Sequence, residues 1–165
     1  MAQPIPVPTS NWLCDIRDLK LSSMEFYNAV ETALTNRQLP KGKTSRITLS
    51  QGGLFSSNRE YLRVANGDLT FDICAAPYGT GFFVSWWYGE RIGYIRSLLY
   101  RIPVLGPFLV KVSQLKTYYQ LDTEGMFREA VRSCVNQAIE EVTTAKGIRG
   151  PSDAQLLAQA GQSNR

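Results

Sequence analysis

Few residues in this chain could do chemistry, and their spacing excludes most of it. There is no histidine, which rules out Ser-His-Asp triads, Cys-His dyads and His-based zinc sites. "KGKTS" at 41–45 has the end of a phosphate-binding loop, but the fingerprint needs a glycine five residues before Gly42 and position 37 is Arg. "YGTG" at 78–81 has no G-x-x-G partner and no following helix pattern, so it reads as a tight hairpin connection. Cys74 in "FDICAAP" alternates away from Phe71 and Ile73, with neither histidine nor lysine nearby to lower its pKa. A small, half-buried strand residue is expected there rather than a nucleophile. Asp72 falls diagonally across a hairpin from Arg63, an ordinary cross-strand pair. Glu140 and Glu141 are adjacent, so on a helix they point about 100° apart and share neither proton nor metal. The expectation is a non-enzymatic protein with no catalytic residues, no metal and no cofactor.

What remains is the distribution of charge. The 165 residues carry 18 basic and 14 acidic side chains, with 44% apolar and 19% charged content, as in a single globular domain. Residues 91–121 hold Arg91, Arg96, Arg101, Lys111 and Lys116 and no acid, a local charge of +5, whereas the rest of the chain sums to −1. Three widely spaced cysteines, Cys14, Cys74 and Cys134, suit a reducing compartment better than a disulfide framework.

Several elements are marked by local signals. Pro4, Pro6 and Pro8 predict an extended N-terminal strap over 1–20, without the basic and apolar regions of a signal peptide. "SSME" predicts a helix with a Ser22–Glu25 capping box, a Leu21–Phe26 staple, and Phe26, Val30, Ala33 and Leu34 on its buried face. From 46 to 88 the period falls to 2. Asn66-Gly67 predicts a type I′ hairpin pairing Val64 with Leu69 and Leu62 with Phe71, inside a four-stranded antiparallel meander. "YYQLDTEGMFREAVRSCVNQAIEEVTTAKG" predicts a long core helix with Asp122 or Thr123 at its start and Gly147 at its stop. The apolar arc of that helix runs from Met126 to Val142. The fold class is α+β: an N-terminal helix, the meander, an amphipathic insert and a C-terminal helix packed on the sheet. A single domain is expected over 21–148, with a flexible Gln- and Ala-rich tail over 149–165.

The insert, "RIGYIRSLLYRIPVLGPFLVKVSQLK" at 91–116, carries the functional expectation. As a helix, 91–102 groups Ile92, Ile95, Leu98, Leu99 and Ile102 within an arc of roughly 120°, with Arg96 and Arg101 on the remaining, polar side. Pro103 interrupts the helix, and Leu105, Phe108, Lys111 and Lys116 follow the Gly-Pro break. Its longest uncharged run, Ile102 to Val110, is too short to span a bilayer. Three readings compete: ordinary core, a monotopic hairpin in a bilayer interface, or a protein contact. Core needs no exclusion of acids, and a subunit contact normally mixes charge signs. A cationic face with aromatic brackets fits an anionic lipid surface. Nucleic acid is disfavoured because Ile, Leu, Val and Pro are too dense among the cations.

The functional expectation is docking on an anionic membrane surface, from the cytoplasmic side and at the inner face of the membrane. The docking residues are Arg91, Tyr94, Ile95, Arg96, Leu98, Leu99, Arg101, Leu105, Phe108, Lys111 and Lys116. The alternative is a protein partner, or a second copy of the chain, engaging the same surface.

Overall fold

The computed structural model describes residues 6–50, 58–91 and 116–152. The interior of the basic segment (92–115), residues 51–57 and residues 153–165 of the expected tail lie outside the described residues. The elements are β1 (Val7–Arg17), α1 (Ser23–Arg37), β2 (Lys43–Ser50), β3 (Asn58–Asn66), β4 (Leu69–Tyr78), β5 (Gly81–Glu90) and α2 (Tyr118–Ala145). The strands form one antiparallel sheet in the order β1-β5-β4-β3-β2. The α+β class and the long C-terminal helix are as expected; the strand number is five rather than four.

The added strand is the correction to the N-terminal strap. Residues 7–17 pair with β5 along the sheet edge, so the domain begins well before residue 21. Its prolines are compatible with that position because an edge strand can leave one side unpaired. Beyond them, Trp12, Cys14 and Ile16 alternate into the core. A bulge between Pro8 and Ser10 offsets the register. There β1 passes so close to β5 that a Cβ on Gly89 would lie 2.2 Å from the Val7 carbonyl oxygen. Any other residue at position 89 would push the edge strand away.

Both tight hairpins use one device. Gly67 and Gly79 have φ of +60° and +59°, and each is the first of two loop residues, since Asn66 pairs with Leu69 and Tyr78 with Gly81. Asp68 does not have positive φ, so the β3–β4 connection is a Gly-first type II′ turn on Gly67-Asp68, not a type I′ turn on Asn66-Gly67. The expected register is corrected accordingly: Val64 pairs with Phe71 and Leu62 with Ile73. The slip is an even number of residues, so every side chain stays on its predicted face. The same shift sets Arg63 directly opposite Asp72 rather than diagonal to it.

Leu62, Val64, Phe71, Ile73, Phe82, Val84 and Trp86 form the floor of the core, and α1 and α2 pack on it and on each other. The Ser22–Glu25 capping box opens α1. Its buried face also includes Tyr27, which the sequence reading passed over. The start of α2 is corrected: Thr117 is the N-cap, with Gln120 completing a capping box three residues on. The helix ends in a Schellman motif. Gly147 has φ +65° and donates to Thr144 O, while Ile148 donates to Thr143 O. Met126, expected inside the apolar arc, is exposed, and burial on α2 starts at Phe127.

Candidate functional site

β5 ends at Glu90, and the basic segment begins at the next residue. Arg91 turns back: its backbone N–H donates to Asp68 O at 2.8 Å and its Nη2 to Gly67 O at 2.5 Å, fixing it to the β3–β4 turn. The segment ends at Lys116, immediately before the Thr117 cap. The Lys116 ammonium lies between two carboxylates, hydrogen-bonding Glu90 and pairing with Glu124 at 2.6 Å. Burial opposes its charge, but the hydrogen bonds to Glu124 and Glu90 outweigh that and raise its pKa. The acid-free window 91–121 thus has its last basic residue gripped by two acids that lie just outside it, Glu90 before and Glu124 after. Both ends of the segment are fastened at one corner of the sheet.

Of the eleven expected docking residues, the structure places Arg91 and Lys116, and both serve as anchors rather than as free surface charges. Tyr94, Ile95, Arg96, Leu98, Leu99, Arg101, Leu105, Phe108 and Lys111 lie outside the described residues.

Beside this root, α2 overhangs the core. Its 28 residues span roughly 42 Å at 1.5 Å per residue, and burial along it starts only at Phe127. Tyr118 and Tyr119 are 88% and 78% exposed, with Leu121 and Met126 also open to solvent. Exposed large side chains gathered in one place mark an interaction surface more often than isolated ones do. One side of the overhang, including Tyr119, Thr123, Met126 and Ala130, faces Leu39, Pro40 and Asn66 across a groove of about 850 Å³.

Behind the root lies an aromatic cluster: Tyr88 packs on Phe71 and Phe127, and Phe71 on Trp86. The Tyr88 hydroxyl is buried with no hydrogen-bond partner among the described residues. Burial, then the charges of Glu124 and Glu90, push its pKa above the usual tyrosine value. An unpartnered buried hydroxyl costs stability. Tyr88→Phe is therefore expected to leave stability unchanged or raise it by about 1 kcal/mol in chemical denaturation. A clear loss would show that the hydroxyl is bonded in solution.

The other residues considered for chemistry are placed as follows. Lys43, Thr44 and Ser45 of "KGKTS" begin β2, so their backbone is extended and forms no phosphate-cradling loop before a helix. Cys74 is fully buried, not half-buried as expected. Burial raises its thiol pKa despite Arg59 beside it, a neighbour that the sequence reading did not supply. Burial also raises Cys134, and burial, with Asp15 adding to it, takes Cys14 up to about 11. Glu140 and Glu141 are exposed on α2. Among the described residues no cluster of His, Cys, Asp and Glu could hold a metal ion, and no helix is long and apolar enough to cross a membrane.

No family model matches the chain, and no curated protein matches it. Among solved structures, the crystal structure of TTHA0849 from Thermus thermophilus is similar over 82% of this chain and 97% of its own, with 14% sequence identity and a TM-score of 0.31. Likeness at that level carries no functional argument.

Proposed function

We propose that this is a non-enzymatic cytoplasmic protein that docks peripherally on an anionic membrane surface, at the inner face of the membrane, through the basic amphipathic segment 91–116. The observation that carries the proposal is the clasp of Lys116 by Glu90 and Glu124, with Arg91 tied to the neighbouring turn. It roots both ends of a cationic, acid-free segment at one corner, beside the exposed rings of Tyr118 and Tyr119. Tyrosine suits a bilayer interface because its ring is apolar and its tip polar. With Arg91 and Lys116 used as anchors, Arg96, Arg101 and Lys111 are the lipid-facing charges. Each contributes about 1 kcal/mol near an anionic surface, and shallow burial of Ile95, Leu98, Leu99, Leu105 and Phe108 adds to that.

Flotation tests the proposal. The chain is expected to float with vesicles containing phosphatidylglycerol at low salt, to stay behind with phosphatidylcholine vesicles, and to be released as salt is raised. No flotation with the anionic vesicles would remove it. The groove under Tyr119 and Met126 favours a second reading, in which the same corner contacts a protein partner or another copy of the chain. Light scattering separates the two: the membrane reading predicts a monomer without lipid, and a concentration-dependent dimer would favour the second.

A further inference from the structure

Both helices pack on one face of the sheet. On the opposite face, Leu49, Tyr61, Asp72 and Trp87 line a cavity of about 250 Å³, with Pro6 and Pro8 also in its wall. We propose that this cavity binds a small, neutral, planar molecule carrying an O–H or N–H donor, of the phenol or indole class.

The donor requirement comes from Asp72. The residue is only 3% exposed, and its carboxylate accepts from Arg63 Nε at 2.6 Å on one oxygen and from Arg63 Nη2 at 2.7 Å on the other. An ionised carboxylate has about four acceptor positions, so about half of its capacity is unused among the described residues. A buried acceptor with spare capacity favours a ligand that donates to it. Neutrality follows from the pair itself: Arg63 already balances the Asp72 charge, so a ligand cation finds no net counter-charge there, and a ligand anion would meet the Asp72 carboxylate.

Planarity follows from the walls. The indole of Trp87, 40% exposed, the Tyr61 ring and two proline rings offer flat apolar faces, against which an aromatic body stacks. The volume falls below the roughly 300 Å³ of drug-sized sites, which limits the ligand to one or two rings.

Phenol and toluene, which have nearly the same shape and differ in the donor, are the probes, with the three tryptophan indole N–H resonances as the readout. The Trp87 resonance, assigned with Trp87→Phe, should move on phenol titration. Those of Trp12 and Trp86, buried in the core, should stay in place. Toluene should bind at least tenfold more weakly than phenol. Replacing the ion pair with apolar residues of similar volume (Arg63→Met with Asp72→Leu) should abolish that preference. Equal affinity for phenol and toluene in the native chain would overturn the proposal, as would a Trp87 resonance that phenol does not move. A preference that survives the double replacement would overturn it too. If the double variant does not fold, the native comparison still decides.

Discussion

Replacing Arg63 or Asp72 alone with alanine is expected to destabilise the fold by about 3–5 kcal/mol, among the largest losses from any single substitution in this chain. The two side chains meet head-on across the β3–β4 hairpin in a two-bond pairing and are 4% and 3% exposed. Removing one strands the other's charge away from water, and that desolvation cost, rather than the lost attraction, sets the size of the effect. The double variant Arg63→Met/Asp72→Leu leaves no buried charge. It is expected to return to within about 1 kcal/mol of the native stability. Urea unfolding of the four proteins closes the cycle. If the two single losses simply add in the double variant, or if each single costs less than about 1 kcal/mol, the pair is hydrated in solution and this account of it is wrong.

The second large effect is expected at Tyr27. The β3–β4 ladder stops at the Leu62–Ile73 pair, so Glu60 and Ala75, two positions further on in that register, are not paired strand to strand. The Tyr27 hydroxyl, brought in by α1, fills the split. It donates to Glu60 O at 2.8 Å and accepts from Ala75 N at 3.0 Å. Its ring is fully buried and lies 4.5 Å beneath the Arg46 guanidinium, which also pairs with Glu31 of α1. Tyr27→Phe keeps the ring but leaves the Ala75 N–H and Glu60 carbonyl without their partner, for an expected loss of about 1–3 kcal/mol. Tyr27→Ala removes the ring as well, at about 3–5 kcal/mol for the truncation alone. A phenylalanine variant as stable as the native chain, measured by denaturant midpoint at unchanged m-value, would show that the strands close without the hydroxyl.

Tyr27 also shows where sequence reading stops. Its place on α1 is legible from the 3.6-residue period, but its role depends on a gap between two strands more than thirty residues away. Local signals fared better. The Ser22–Glu25 box and the Gly147 stop act within a turn of backbone, and both are present as read. The β3–β4 hairpin was legible in its faces but not its register, because glycine supplies the positive φ for either turn type and an even slip preserves alternation. β1 was hidden by its own start: three prolines suggested a strap, while Trp12, Cys14 and Ile16 alternated behind them. The Thr117–Gln120 box was passed over for Asp122, a residue whose type suits a cap but which lies inside the helix.

The docking corner follows the same division. Its charge asymmetry is a property of composition and can be counted. The clasp that roots it joins Glu90, Lys116 and Glu124 from three separate places in the chain, and only the fold brings them together. The exposure of Tyr118 and Tyr119 is likewise seen only in the fold, where burial on α2 starts at Phe127.

The most direct test of membrane docking is a binding titration on vesicles rich in phosphatidylglycerol. It compares the native chain with the triple variant Arg96→Gln/Arg101→Gln/Lys111→Gln, in which Arg91 and Lys116 keep their anchoring contacts. At about 1 kcal/mol per charge, the variant should partition roughly a hundredfold more weakly at low salt, and the difference should shrink as ionic strength rises. Equal partitioning of the two proteins, or a native chain that does not bind such vesicles at all, would contradict the account.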